Sequence, residues 1–118
     1  MSIIGVCGSR RRNSPADYKL VRAAIRSIYQ PGDRFVSGGC PTGADRFAEL
    51  LARDLGAPIL IYHADWKSWG RYAGPHRNTL IAHEADCLIA CVAPDRTGGT
   101  EDTIRKFEKH SRLPAILC

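Results

Sequence analysis

Three kinds of residue in this chain could do chemistry: glycines grouped in short polar turns, arginines beside those turns, and acidic residues where helices begin. The densest group is Gly38-Gly39-Cys40-Pro41-Thr42-Gly43-Ala44-Asp45, between the apolar run Phe35-Val36 and an amphipathic segment from Arg46 to Leu55. Adjacent glycines reach positive φ and carry no Cβ, so backbone N–H groups can converge on a ligand oxygen. The helix that follows aims its unpaired N–H groups and positive dipole end at the same point. The stretch reads as an anion cradle with phosphate as its guest, or as a plain strand-to-helix connection with Asp45 or Thr42 as N-cap. Repetition favours the cradle, because strand, glycine turn and helix recur at Ile3 to Arg10 and at Cys87 to Thr100.

Two further features carry charge to the same kind of place. Pro75 opens a helix with His76, Arg77 and Asn78 in its expected first turn. A cation is disfavoured there unless an anion sits nearby, since the helix dipole is already positive. Thr100 reads as the N-cap of the last helix, with Glu101 and Asp102 in its first turn. Between the third strand and the Pro75 helix, Trp66, Trp69 and Tyr72 sit among polar residues, able to stack on a base, to anchor a loop or to meet another subunit. Cys40 is the one thiol inside a turn; the other four cysteines fall in apolar runs, and no cysteine or histidine spacing suits zinc. Neither a metal nor a bound cofactor is expected.

The residues need elements to hold them, and those are legible from periodicity. Ile3 to Cys7, Arg34 to Ser37, Pro58 to Tyr62, Asp86 to Val92 and Pro114 to Leu117 read as strands. Helical spacing runs through Tyr18, Val21, Ile25 and Ile28, through Phe47, Leu50, Leu51 and Leu55, through Leu80, Ile81 and Ala85, and through Ile104 and Phe107. Ser14-Pro15 starts the first helix, Pro31-Gly32 stops it, and Gly56 ends the second. Right-handed crossovers then give one Rossmann-like α/β domain over residues 1–118, a five-stranded parallel sheet in the order 3-2-1-4-5 with helices on both faces. In that order the first, second and fourth strands are neighbours. Their three glycine turns meet at one sheet edge, at the switch point where open α/β sheets bind ligands.

Composition narrows the partners. With 118 residues, 44% hydrophobic and 25% charged, the chain is of ordinary globular make-up. It has no apolar run long enough to span a bilayer and no signal segment, which predicts a cytoplasmic protein with no membrane partner. A formal net charge of +5 suits an acidic ligand. The sequence has no GxxxxGK[ST] and no GxGxxG after its first strand, so neither magnesium-dependent triphosphate hydrolysis nor dehydrogenase chemistry is expected.

Gly8-Ser9-Arg10, Ser37-Gly38-Gly39 with Gly43-Ala44-Asp45, Ala64-Asp65-Trp66, Gly70 with Ala73-Gly74 and Arg77-Asn78, Ala85-Asp86, and Gly99-Thr100 together resemble the SLOG superfamily of Rossmann-like domains, and within it the small YspA-like proteins. The resemblance covers nearly the whole chain in order. It implies a nucleotide-binding fold, in a superfamily that also holds LONELY GUY phosphoribohydrolases and the DNA-processing protein A group. The phosphoribohydrolases use an arginine at a helix start and a glutamate after a PGGxGT turn; Arg77 resembles the first and Gly99-Thr100 part of the turn. The matching acid here is Asp102 or Glu101, and the PGG is missing.

The leading expectation is a protein that binds a nucleotide or nucleotide-derived ligand, as sensor or sequestering protein. Gly8, Ser9, Gly38, Gly39, Gly43, Gly99 and Thr100 would hold phosphate and ribose, and Arg10 and Arg77 would supply charge. Asn78 belongs to the same ligand set, Asp45 caps its helix or accepts from a ribose hydroxyl, and Trp66 or Trp69 stacks on the base. A second expectation is N-glycosidic hydrolysis, with Arg77 on the phosphate and Asp102 or Glu101 as the acidic group. A single-stranded nucleic-acid module is a third, disfavoured because no long basic stripe is interleaved with aromatics. By analogy with the related phosphoribohydrolases, a homodimer is expected.

Overall fold

The computed structural model describes residues 1–118. Its strands are β1 (Ile3–Gly8), β2 (Arg34–Ser37), β3 (Ile59–Ile61), β4 (Cys87–Cys91) and β5 (Ile116–Leu117). All pairings are parallel, and the order is β3-β2-β1-β4-β5, as the crossover argument requires. The helices are α1 (Pro15–Ile28), α2 (Ala44–Leu55), a single turn α3 (Trp66–Trp69), then a 3-10 turn at Gly70–Tyr72, α4 (Ala73–Glu84) and α5 (Gly99–His110).

Alternation along the central strands divides the interior in two. Ile4 and Val6 of β1, with Ile89 and Cys91 of β4, pack against Val21 and Ile25 of α1 and Phe47, Ala48 and Leu51 of α2. Cys7, Leu88 and Ala90 point the other way, against Ile81 and Ala82 of α4 and Ile104 and Phe107 of α5. A sheet buried on both faces explains why β1 and β4 read as continuous apolar runs rather than alternating ones. Space between layers is tight. A Cβ on Gly8 would lie 2.6 Å from Ala44 Cβ and 2.9 Å from Cys91 Cβ, so only glycine lets α2 approach β1 there.

A local rule explains the start of α1. Ser14 Oγ accepts from Asp17 N–H at 3.1 Å while the Asp17 carboxylate accepts from Ser14 N–H at 3.1 Å, a capping box that fixes the start of α1. Three starts differ from the sequence reading. The N-cap of α2 is Gly43, at φ 79°, rather than Thr42 or Asp45. The N-cap of α5 is Gly98, at φ 102°, so Thr100 lies inside the helix and is buried. Finally α4 begins at Ala73, two residues before Pro75, because the 3-10 turn runs straight into it. Arg77 therefore sits in the second turn of α4, and the dipole argument for a neighbouring anion does not apply to it. The burial on α4 falls on Ala73, Asn78, Ile81 and Ala82, while Leu80 is turned outward.

Candidate functional site

The carboxyl ends of β1, β2 and β4 surround one crevice of about 380 Å³. The turn after β1 supplies Gly8, Ser9, Arg10 and Arg11; the turn after β2 supplies Gly38, Cys40 and, from the start of α2, Asp45. Thr97, Gly98, Gly99 and Thr100 come from the turn after β4, with Thr103 one turn further along α5. Arg77, Asn78 and Ile81 of α4 close the side, and Cys7 lies at the base. Three turns of like grammar thus bound a single volume, as the strand order implies.

Charge in the crevice is unbalanced, with three arginines against one carboxylate. Arg10 takes part in none of the molecule's ion pairs. Arg11 is held at the rim by Asp95, with Nη2 to Oδ1 at 2.6 Å and Nη1 to Oδ2 at 3.1 Å. The Arg11 guanidinium and the Thr97 hydroxyl together hold the Asp95 carboxyl well below the usual carboxylate range. Arg77 Nη1 donates to Gly38 O at 2.8 Å and its Nε to Asn78 Oδ1 at 3.0 Å. A Cβ at Gly38 would lie 2.6 Å from Arg77 Nη1, so this glycine is what lets the guanidinium cross the end of β2.

Asp45 is the crevice's lone acid and is only 9% exposed. Its Oδ2 accepts from Cys40 N–H at 3.1 Å. Burial pushes its carboxyl above the ordinary value, against the hydrogen bonds from Cys40 N–H and Ser37 and the nearby charge of Arg77, which pull it down. Beside it, burial drives the Cys7 thiol well up, so Cys7 stays protonated and inert. Cys40 lines the crevice with its Sγ 4.0 Å from Thr42 Oγ1.

Of the residues singled out in the sequence, Gly8, Ser9, Arg10, Gly38, Asp45, Arg77, Asn78, Gly99 and Thr100 line this crevice. Gly39, Gly43, Trp66, Glu101 and Asp102 do not. Gly39 and Gly43 have other duties. A Cβ on Gly39 would lie 2.5 Å from His63 Cε1 and 2.6 Å from Ile61 Cγ2; one on Gly43 would lie 2.8 Å from Ser9 O. The cradle is also partly filled by the protein, since Gly43 N–H donates to Asn13 Oδ1 at 2.8 Å and Cys40 N–H to Asp45. Trp66 is 61% exposed on α3, outside the crevice.

The two acidic residues expected to act in hydrolysis are tied up instead. Glu101 takes a bidentate pair from Arg96, at 2.8 and 2.9 Å. Asp102 accepts from Lys106 at 2.9 Å, Arg105 at 2.6 Å and Asn78 Nδ2 at 3.1 Å, stitching α5 to α4. Burial alone would raise the Asp102 carboxyl, but hydrogen bonds from Lys106 and Asn78 and the charges of Lys106 and Arg105 outweigh it and hold it low. The site residues named from the sequence did not include Arg11 and Thr97. Position in the turns after β1 and β4 was the available signal for both.

No family model matches the chain, and no curated protein matches it. Among solved structures, the molybdenum cofactor binding protein from the phototrophic bacterium Rippkaea orientalis matches over 98% of this chain and 75% of that one, with a TM-score of 0.74 and 23% identity. The likeness establishes a common fold. No helix here is long and apolar enough to cross a membrane.

Proposed function

We propose that the crevice binds a nucleotide or nucleotide-derived phosphate ester, and that the protein acts as a sensor or sequestering protein for it. The carrying observation is the convergence of three glycine turns and three arginines on one volume of about 380 Å³. Phosphate sits at the start of α5, where Gly98, Gly99 and Thr100 line the crevice and the first-turn N–H groups have no side-chain cap. Arg10 adds unpaired charge from the β1 turn, where Arg11 is already paired with Asp95, and Arg77 stands on the α4 side. The order of motifs along the chain supports a SLOG-type domain of the YspA-like branch, working in the cytoplasm. The solved neighbour is a molybdenum cofactor binding protein, which adds that cofactor to the small ligands to be tested.

Hydrolysis by the route of the phosphoribohydrolases gains no support, because Glu101 and Asp102 are held in ion pairs outside the crevice. The deciding experiment is equilibrium dialysis against nucleotides, ADP-ribose, cyclic nucleotides and molybdenum cofactor, read by mass spectrometry for retention and breakdown. A phosphate ester retained intact is the expected result. Release of free base and ribose phosphate would replace binding with hydrolysis, and retention of none of the panel would refute the reading.

A further inference from the structure

The walls of the crevice say which part of such a ligand is read. Of its 16 lining residues only three are hydrophobic, and none is Phe, Tyr, Trp or His. A planar base is ordinarily held by an aromatic or broad apolar wall, and stacking on one is worth about 1–3 kcal/mol per base. This protein has such side chains, but Trp66, Trp69 and Tyr72 all stand exposed on the segment before α4, outside the crevice.

What the crevice offers instead is two kinds of polar group. The Gly98–Thr100 start of α5, with Arg11 held to Asp95 and Thr97 in the turn before it, is suited to a phosphate dianion. Asp45, buried in the same crevice and fixed by Cys40 N–H, supplies acceptors, with Arg10 near the same helix start. Cys40 N–H and the neighbouring Ser37 hydroxyl leave part of the carboxylate's four acceptor positions free. A second anion would be repelled there, whereas a group presenting O–H donors would be held. Arg77, clamped between Gly38 O and Asn78 Oδ1, has donors left for ring or hydroxyl oxygens.

We propose that the site recognises a phosphorylated sugar, with phosphate at the start of α5 and the sugar hydroxyls on Asp45, and leaves the base unread. This deepens the reading of the crevice as a phosphate-ester site and rests on it. A base, when present, projects past the rim into solvent. Ligands that share a pentose phosphate therefore bind alike, whatever they carry at the anomeric carbon.

Isothermal titration of the full chain with inorganic phosphate, ribose 5-phosphate, AMP, CMP and adenosine tests this. Ribose 5-phosphate, AMP and CMP are expected to agree within about threefold, and adenosine to show no binding, because it lacks the anion. In Asp45→Asn, ribose 5-phosphate should weaken about tenfold while inorganic phosphate is unchanged or tighter, since a negative charge has gone from the crevice. If Asp45 acted only through its charge, both ligands would tighten, and the assignment of Asp45 to sugar hydroxyls would fall. AMP binding more than about tenfold tighter than CMP or ribose 5-phosphate would overturn the unread base and leave the phosphate-ester reading standing. No binding of any phosphate ester would overturn both. The wild-type ligand series decides the base question even if the variant fails to fold.

Discussion

The starts of α2 and α5 follow the same rule and end with opposite chemistry. Each comes after a glycine turn at the carboxyl end of a central strand, each has a glycine N-cap in a backbone region closed to L side chains, and each carries an acid in its first turn. At α2 the acid, Asp45, folds back into the crevice and accepts from the turn's own Cys40 N–H. At α5 the acids turn away, because Arg96, Arg105 and Lys106 lie within five residues and capture them. Neither start has a side-chain cap, but the α2 turn gives its Gly43 and Cys40 N–H groups to Asn13 and Asp45 and presents a carboxylate to the crevice, while the Gly98–Thr100 start of α5 lines the crevice without one. A shared local grammar places the site; the neighbours decide which pole each turn becomes.

Replacing the two N-cap glycines gives the largest effect and separates their roles. Both sit near φ 80–100° with extended ψ, Gly43 at φ 79°, ψ −155° and Gly98 at φ 102°, ψ −169°. Alanine at either pays roughly 1–3 kcal/mol of backbone strain. At Gly98 nothing lies within 4 Å of the new Cβ, so strain is the whole cost. At Gly43 the Cβ would lie 2.8 Å from the Ser9 carbonyl oxygen, a backbone atom that cannot swing aside. Gly43→Ala should therefore lose about 4 kcal/mol and Gly98→Ala about half of that, measured by urea denaturation. Equal losses would mean that Ser9 yields and that the two turns are not packed differently.

Asp102→Asn probes the α5 side. It removes charge-assisted bonds from Lys106 and Arg105 at a side chain 20% exposed, and should cost about 2 kcal/mol with phosphate affinity retained. Because the folded carboxyl is held below its ordinary value, its contribution is present above the unfolded value of 3.8 and fades as pH falls through the folded one. Wild type and variant should converge in acid denaturation profiles. Divergence that grows as pH falls would contradict the ion-pair account.

The pattern of these effects shows what the sequence could carry. Strand order, both helical faces and the convergence of the turns after β1, β2 and β4 follow from periodicity and chain handedness, which are local or topological rules. The fate of Asp102 was also legible, since Arg105 and Lys106 stand at i+3 and i+4, the spacing that places ion partners on one helix face. The direction of Asp45 was not. It depends on Cys40, in a turn whose shape is set by Gly39 against His63 and Gly43 against Ser9, contacts between segments that sequence spacing does not encode. The run Arg10-Arg11-Arg12 shows the same limit. Arg11 reaches Asp95 at the crevice rim, whereas Arg12 turns inward to Asp17, Val92 O and Cys118 O.

Asp45→Asn should act on stability in the opposite sense from Asp102→Asn. Burial raises the Asp45 carboxyl above its unfolded value of 3.8. Whatever it contributes is therefore greatest below that value and is lost as pH rises through the folded one. Asparagine keeps an acceptor for Cys40 N–H without the buried charge, so the variant should melt higher than wild type at neutral pH, with the gap closing as pH falls toward the carboxylate range. A variant less stable at neutral pH would show that the Arg77 charge and the Cys40 bond outweigh desolvation. It would also make Asp45 a structural ion partner like Asp102, which is the comparison reversed.

The smallest effect belongs to Trp66, and it tests whether the aromatic segment is part of the site. Trp69 has a partner, since its ring stacks on His76 at 3.9 Å and 17°, one residue before Arg77. Trp66 is 61% exposed, and a Cβ added at Gly74 of α4 would stand 3.8 Å from its indole. An exposed side chain away from caps, cores and ion pairs changes stability by no more than about 0.5 kcal/mol. Trp66→Ala should stay within that bound and leave AMP and ribose 5-phosphate affinities equal to those of wild type. A selective loss of AMP affinity would place the indole over the base in the bound state. The aromatic segment would then be a moving wall of the crevice, and base recognition would come from α3 rather than from the fixed turns around β1, β2 and β4.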